Sequence, residues 1–142
     1  ADMPFKIGKA ITLQQGKDVT FVACGAMVAE ALDAAEALMQ KGISAEVINL
    51  HTIKPIDKEA LIASARKTGC VVTAEEHQLA GGMGSSVAEV LVQSFSVPME
   101  MVGIQDTFGE SGQPRELMEK YGITSKEIFE KAIKVLARKK AI

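Results

Sequence analysis

The most informative segment of the chain runs from Cys70 to Val92 and reads CVVTAEEHQLAGGMGSSVAEVLV. It opens with a short apolar run rich in Val and Thr, which predicts a central strand from Cys70 to Glu75 that is buried on both faces. A charged and glycine-rich turn follows, and apolar residues then recur at helical spacing from Val87 onward. Strand, turn and helix form half of a βαβ unit, and ligands gather at the carboxyl ends of such strands.

Two β-compatible runs precede this segment, Lys9 to Gln15 and Val19 to Cys24, and they are separated by Gly16-Lys17-Asp18. A tight turn that contains glycine typically joins antiparallel neighbours, so the two runs are predicted to pair as a hairpin. The second run is almost continuously apolar, which predicts an interior strand.

Helical periodicity and stop signals predict the remaining elements. A helix from Ala26 to Lys41 has Glu30 on its polar face and Met39 on its apolar face, and Gly42 supplies the left-handed residue that ends it. The other predicted elements are strands from Ile43 to Leu50 and from Val97 to Val102, a helix from the N-cap Asp57 to Lys67 closed by Gly69, a loop from Ile104 to Gly112, a short helix from Pro114 to Gly122, and a last helix that begins with a capping box, Thr124-Ser125-Lys126-Glu127.

The order of these elements predicts one three-layer α/β/α domain over residues 1–142. Strand–helix–strand crossovers force parallel neighbours, so we expect a mixed, mostly parallel five-stranded sheet whose first strand is antiparallel. The formal net charge of −2 argues against nucleic-acid binding. No run approaches the roughly 20 apolar residues that cross a bilayer, and two cysteines without metal-ligand spacing predict reduced thiols in a cytoplasmic protein. The start, Ala1-Asp2-Met3-Pro4, lacks an initiator methionine and suits either processing or a fragment of a longer chain.

Several residues that could carry chemistry follow predicted strands and therefore meet at one edge of the sheet. The two histidines, His51 and His77, are either a catalytic pair or ordinary polar loop residues. Cys24 is either a nucleophile, with His77 as its base and Glu76 orienting the histidine, or a small apolar residue that ends a buried strand. Asp106 follows the last strand and belongs to the same edge.

The glycine turn, Gly81, Gly82, Gly84 and Ser85, also has two interpretations. Its backbone N–H groups could hold an anion at the start of a helix. Alternatively, the glycines could serve a tight turn and close packing, because the segment matches neither phosphate-binding motif and follows two glutamates. A metal site is a weaker hypothesis, since adjacent Glu76 and His77 seldom reach one ion.

Several segments are informative when they are taken together in chain order: Phe5 to Lys9, Asp18 to Gly25, Ala45 to Leu50, Ile53 to Asp57, Thr73 to His77, Gly81 to Ser85, Asp106 to Gly112, Glu116-Leu117, and Tyr121 to Thr124. They resemble the C-terminal domain of transketolase, a domain that 2-oxoacid dehydrogenase E1 β subunits and deoxyxylulose-phosphate synthase share. Within that group, the Phe108–Gly112 stretch resembles transketolase, especially the split, two-subunit bacterial or archaeal type.

The resemblance implies a part of an enzyme of the pentose phosphate pathway that uses thiamine diphosphate and Mg to transfer ketol units between sugar phosphates. The family's diphosphate and metal motif, and the glutamate that activates the cofactor, belong to other domains and are missing here. The resemblance therefore implies no catalytic residue, no cofactor bound to this chain alone, and an inactive isolated chain that supports assembly with the remaining domains or subunit in a dimer or other homo-oligomer. The residues it marks as a signature, at an interface or ligand edge, are Glu76, His77, Gly81, Gly82, Gly84, Ser85 and Asp106. The alternative is a free-standing module that binds an anion or a protein.

Overall fold

The structure, a computed structural model, describes residues 8–78, 82–104, 119, 120 and 122–142, without the side chains of His77, Gln78 and Ile104. Five strands and four helices lie within these ranges. In chain order they are β1 Ile11–Gln14, β2 Val19–Ala23, α1 Met27–Met39, β3 Ala45–Asn49, α2 Lys58–Thr68, β4 Val71–Gln78, α3 Met83–Val92, β5 Met99–Ile104 and α4 Ser125–Lys140. Every one of these helices is too short or too polar to cross a membrane.

The five strands form one sheet in the order β1-β3-β2-β4-β5. β1 runs antiparallel to β3, and the other neighbours are parallel, so the predicted mixed sheet is confirmed. One face of the sheet packs with α1 and α4 around Phe21 and Val72. The other face packs with α2 and α3 around Val22 and Val71. The predicted three layers are therefore also confirmed.

The predicted hairpin between β1 and β2 is wrong. β2 is buried at all five positions and pairs on both sides with parallel strands, which leaves no edge for β1. β1 is partly exposed along its length and pairs with β3 at the edge of the sheet. The turn residues supported a hairpin, but complete burial of β2 favours two parallel partners instead.

Gly16 allows the segment before β2 to approach β3 closely and does not form a hairpin turn. A Cβ atom at this position would lie 2.2 Å from the carbonyl carbon of Ala45, so any side chain would collide with β3. The connection is held against the start of β3, because Asp18 N–H donates to the Ser44 carbonyl at 2.9 Å and Ser44 N–H donates to Asp18 Oδ2 at 2.7 Å.

The predicted faces of α1 are wrong at two positions. Glu30 is only 8 % exposed, because its Oε1 accepts the backbone N–H of Ser125 at 2.9 Å and so supports the start of α4. Met39, expected on the apolar face, is 50 % exposed. The pairing of Glu30 joins residues that lie 95 positions apart, and local periodicity carries no sign of it.

The local end signals of the helices are confirmed. Asp57 Oδ1 accepts the N–H of Ala60 at 3.2 Å, and Gly42 and Gly69 adopt positive φ angles of 76° and 80°. The capping box at the start of α4 is present. The predicted loop from Ile104 to Gly112 and the predicted helix from Pro114 to Gly122 lie almost wholly outside the described residues. Within the predicted helix, residues 119 and 120 are described and are helical.

Candidate functional site at the carboxyl edge of the sheet

The ends of three parallel strands bring the candidate residues to one edge, which we call the carboxyl edge. Ala23 and Asn49 are register partners at the ends of β2 and β3, and Cys24 follows one residue, and His51 two residues, after these ends. β4 contains Glu75, as predicted, but runs further than predicted, to Gln78, so Glu76 also lies within the strand and not in a turn.

Glu75 is the best-defined side chain of the carboxyl edge. It is fully buried, and its carboxylate accepts two backbone N–H groups from the first turn of α3. The Met83 N–H donates to Oε1 at 2.7 Å, and the Gly84 N–H donates to Oε2 at 2.6 Å. These donors have no partner within the helix, and the negative charge faces the positive end of the helix dipole. Glu75 therefore caps α3 from the neighbouring strand.

This arrangement weighs against the anion-binding interpretation of the glycine turn. An external phosphate or carboxylate would need the N–H groups of Met83 and Gly84, which Glu75 already occupies. Glu76 is exposed next to this position and would add a second negative charge against an incoming anion. The chain supplies its own anion to this helix.

Gly84 is required by close packing. A Cβ atom on Gly84 would lie 2.7 Å from both Thr73 Oγ1 and Met101 Cε, and 3.1 Å from Glu75 Oε2. The first turn of α3 therefore touches the side chains of β4 and β5 directly. This contact supports the packing interpretation of the glycine turn at Gly84.

The predicted signature residues lie in β4, at the start of α3, or outside the described residues. Glu76 is exposed in β4, and the backbone of His77 continues the same strand. Gly82 is the N-cap of α3, while Gly84 and Ser85 lie in its first turn. Gly81 and Asp106 lie outside the described residues. The role of these residues at an interface or ligand edge stays a prediction.

Cys24 does not have the environment of a nucleophilic thiolate. Burial raises the pKa of its thiol, and the nearby carboxylates of Glu75 and Glu76 raise it further. A nucleophilic cysteine needs the opposite, a pKa lowered by a cation or a helix N-terminus. The hypothesis of a Cys24 nucleophile is therefore disfavoured, and the alternative of a small residue at the end of a buried strand agrees with the structure.

The described residues of the carboxyl edge do not fit a diphosphate cofactor or its metal ion. In this part of the chain, no three His, Cys, Asp or Glu side chains lie close enough to hold one metal. The helix terminus that would suit a diphosphate is already capped by Glu75. Among the described residues, the arrangement joins the first turn of α3 to β4 through Glu75 and offers no donor set for thiamine diphosphate.

Comparison with known proteins identifies the family of the chain. The family described as "Transketolase, C-terminal domain" matches residues 8–128, which is most of the chain. The chain belongs to this family. Within this family member, Glu75 and Gly84 have a packing role where α3 meets the sheet.

Among the relatives, the 6-deoxy-6-sulfo-D-fructose transketolase subunit of Clostridium sp. (strain MSTE9) is 53% identical to this chain. The match covers 95% of this chain and 42% of the relative. The 1-deoxy-D-xylulose-5-phosphate synthase of Heliobacterium modesticaldum is 45% identical over 86% of this chain and 19% of the synthase. A solved structure described as a split gene transketolase, inactive beta4 tetramer, is 49% identical, has a TM-score of 0.91, and matches 95% of this chain and 44% of its own.

The chain spans less than half the length of these relatives. Activity, substrates and partners belong to those whole proteins and are treated as proposals for this chain.

The role of Glu75 is the feature that sequence reasoning missed. The sequence marked it only as one of two like charges that would repel a phosphate. A usable signal was present, because a carboxylate in an otherwise apolar central strand must find donors, and a glycine-rich helix start follows within nine residues.

Proposed function

We propose that this chain is the C-terminal, non-catalytic domain of a thiamine diphosphate-dependent transketolase-type enzyme and that it supports subunit assembly. The complete enzyme would transfer two-carbon ketol units between sugar phosphates, with thiamine diphosphate and Mg bound in its other domains. The observation that carries the proposal is the buried Glu75 carboxylate on the α3 N-terminus. Among the described residues, it occupies the helix terminus that a diphosphate would otherwise use.

Transketolase-type transfer is favoured over deoxyxylulose-phosphate synthesis. The relative described as a transketolase subunit is 53% identical over 95% of the chain, against 45% over 86% for the synthase. The split-gene transketolase structure points the same way at a TM-score of 0.91. We therefore propose that this domain belongs to a transketolase that is built from two different subunits.

The first experiment separates the domain from the whole enzyme. The complete protein is assayed for ketol transfer from a ketose phosphate to an aldose phosphate with thiamine diphosphate and Mg present, and residues 1–142 are assayed alone. We expect transfer only by the complete protein and no calorimetric signal when thiamine diphosphate is titrated into the isolated chain. Transfer by the isolated chain would overturn the proposal, and so would a complete protein that forms only deoxyxylulose phosphate from pyruvate.

A second experiment tests the role in assembly. Glu76 is exposed at the carboxyl edge, and Glu130 is exposed on α4 in a different layer. We expect Glu76→Lys in the complete enzyme to weaken subunit association, measured by sedimentation, while the activity per assembled enzyme is retained. Glu130→Lys is the matched control and should leave association unchanged. Equal behaviour of the two variants would contradict an assembly role for this edge.

A further inference from the structure

Helix α3 differs from an ordinary surface helix in the face that it turns away from the sheet. It has one charged residue, Glu89, among ten, while Val92 is 70 % exposed and Val90 is half-buried. α4 packs on the opposite face of the sheet and carries charges along its outer side. A helix that is apolar around most of its circumference is usually covered on both sides.

A groove of 420 Å³ runs between α3 and its neighbour α2, and we call it the α2–α3 groove. Its apolar lining comes from Ile53, Ile56, Ile62 and Val90. Lys54 and Lys58 contribute positive charge at the α2 side, and Glu89 contributes negative charge at the α3 side. The groove thus combines an aliphatic surface with a mainly basic rim, which suits an apolar segment of a protein flanked by a carboxylate.

The chain enters the domain beside this groove. The N–H of Ala10 donates to Asp57 Oδ2 at 2.8 Å, and a Cβ atom on Gly8 would lie 3.1 Å from Pro55 Cγ. Pro55 is flanked by Lys54 and Ile56, which line the groove. The segment that leads into β1 is therefore held at the α2 side of the groove.

This position matters in the longer relatives. The match to this family of C-terminal domains makes up 42% of the transketolase subunit and 44% of the split-gene transketolase. A domain that precedes a C-terminal domain is joined to it through the segment before β1. Whatever precedes the domain is tethered next to the α2–α3 groove, and tethering raises the effective concentration of a neighbouring domain at that surface.

We infer that the α2–α3 groove is the docking surface for the domain that precedes this one in the same transketolase-type subunit. The inference rests on the proposed function. The preceding domain places aliphatic side chains between Ile62 and Val90, and a carboxylate faces Lys54 and Lys58. The groove forms the apolar centre of a wider interface, since contacts between domains of one chain usually bury roughly 600–1,500 Å².

A photo-crosslinking experiment on the complete enzyme tests this inference. A photoreactive phenylalanine analogue replaces Gln93, which lines the groove and is exposed in the isolated domain. The matched control carries the same analogue at Lys126, an exposed residue on α4. After irradiation, mass spectrometry maps the crosslinked peptides.

We expect the analogue at position 93 to crosslink to the preceding domain of the same subunit and the analogue at position 126 to give no such product. A crosslink from position 93 to this domain of a second copy would overturn the inference, as would a yield no higher than that of the control. Ketol transfer by the same preparation is measured in parallel. Transfer without the expected crosslink rejects the docking inference alone, whereas the crosslink without transfer rejects the proposed enzyme alone.

A pair of charge insertions gives a second readout. Ile62→Glu places a carboxylate in the groove, and Ile133→Glu places one on the partly exposed α4 face on the other side of the sheet. In the complete enzyme we expect Ile62→Glu to speed proteolytic release of the domain by about tenfold, because docking would bury an unpaired charge. Ile133→Glu should leave the rate unchanged. Equal rates of release for the two variants would contradict the inference if circular dichroism shows that the domain is folded in both. If Ile62→Glu unfolds the domain, the crosslink from position 93 is the test of the inference.

Discussion

The N-termini of α3 and α4 are capped by carboxylates that come from different distances along the chain. At α4 the capping box is local: the Thr124 N–H donates to Glu127 Oε2 at 3.0 Å, three residues away. At α3 the carboxylate comes from Glu75, which projects from the adjacent strand and reaches the N–H groups of residues eight and nine positions later. The first cap stabilises one helix, whereas the second also fixes a helix to the sheet at the carboxyl edge.

The capping box of α4 is a local sequence motif, whereas the cap of α3 by Glu75 depends on tertiary packing. A glycine turn at a helix start indicates an anion site when only local sequence is considered. Here the anion belongs to the protein itself, and Gly84 lets the helix approach the strand that carries it. The two caps should therefore respond differently to substitution, and four changes test this, with effects measured on unfolding by urea and followed by circular dichroism because the chain has no Trp.

Glu75→Ala should have the largest effect. It removes the acceptor for two buried N–H groups, and hydrogen bonds to charged groups contribute about 1.5 kcal/mol or more each, so we expect a loss of about 3 kcal/mol of unfolding free energy. Glu76→Gln is the control at the next, exposed residue and should change stability by less than about 0.5 kcal/mol. A loss for Glu75→Ala no greater than that for Glu76→Gln would contradict the cap.

Gly84→Ala should come second. The new methyl group would collide with Thr73 Oγ1 and Met101 Cε, and overpacking of this kind costs roughly 1–3 kcal/mol. Lys126 occupies the same second position of α4 and is exposed, so Lys126→Ala should have little effect on the free energy of unfolding. If Gly84→Ala stabilised the domain, as alanine does in an unobstructed helix, the close contact of α3 with the sheet would be refuted.

Thr124→Ala should have a smaller effect that is confined to the local cap. Loss of a threonine N-cap typically costs about 1 kcal/mol. Thr124→Ser keeps the hydroxyl and should restore most of the unfolding free energy. The local cap would be less important than the geometry indicates if the alanine and serine variants unfolded at the same urea concentration.

Glu127→Gln should have the smallest effect, and one that depends on pH. Burial acts to raise the pKa of Glu127, but hydrogen bonds from Thr124 outweigh it and hold the pKa below its ordinary value of 4.5. The ionised group therefore stabilises the folded state above that value, and the contribution is lost as the pH falls through the lowered pKa. Between about pH 6 and about pH 3, the wild type should lose more stability than Glu127→Gln. Parallel pH profiles for the two proteins would contradict this assignment.

Much of the fold was predictable because its signals are local. Asp57, Gly42 and Gly69 mark helix ends through bonds and backbone angles within a few residues of themselves. The apolar run of β2 correctly predicted an interior strand. The same locality explains the failure at β1, since a turn sequence predicts which segments follow each other and not which strand occupies the neighbouring position in the sheet.

The candidate site was less predictable for a related reason. Glu75, Glu76 and Cys24 were correctly expected at one edge, because the carboxyl ends of parallel strands meet there. Their separate roles depend on burial: Glu75 faces the start of α3, Glu76 faces outward, and both carboxylates raise the pKa of Cys24.

The sequence by itself determined the α/β class, the helix end signals and the membership of the family, because each depends on residue order and on interactions within one or two turns. Only the tertiary structure decided that β1 lies beside β3, that Glu30 supports α4, and that Glu75 caps α3. Those outcomes depend on which buried polar groups find partners when the layers pack. A buried carboxylate must accept hydrogen bonds from the donors that the fold brings near it. For Glu75 one such donor lies eight residues away, and for Glu30 the donor lies ninety-five residues away.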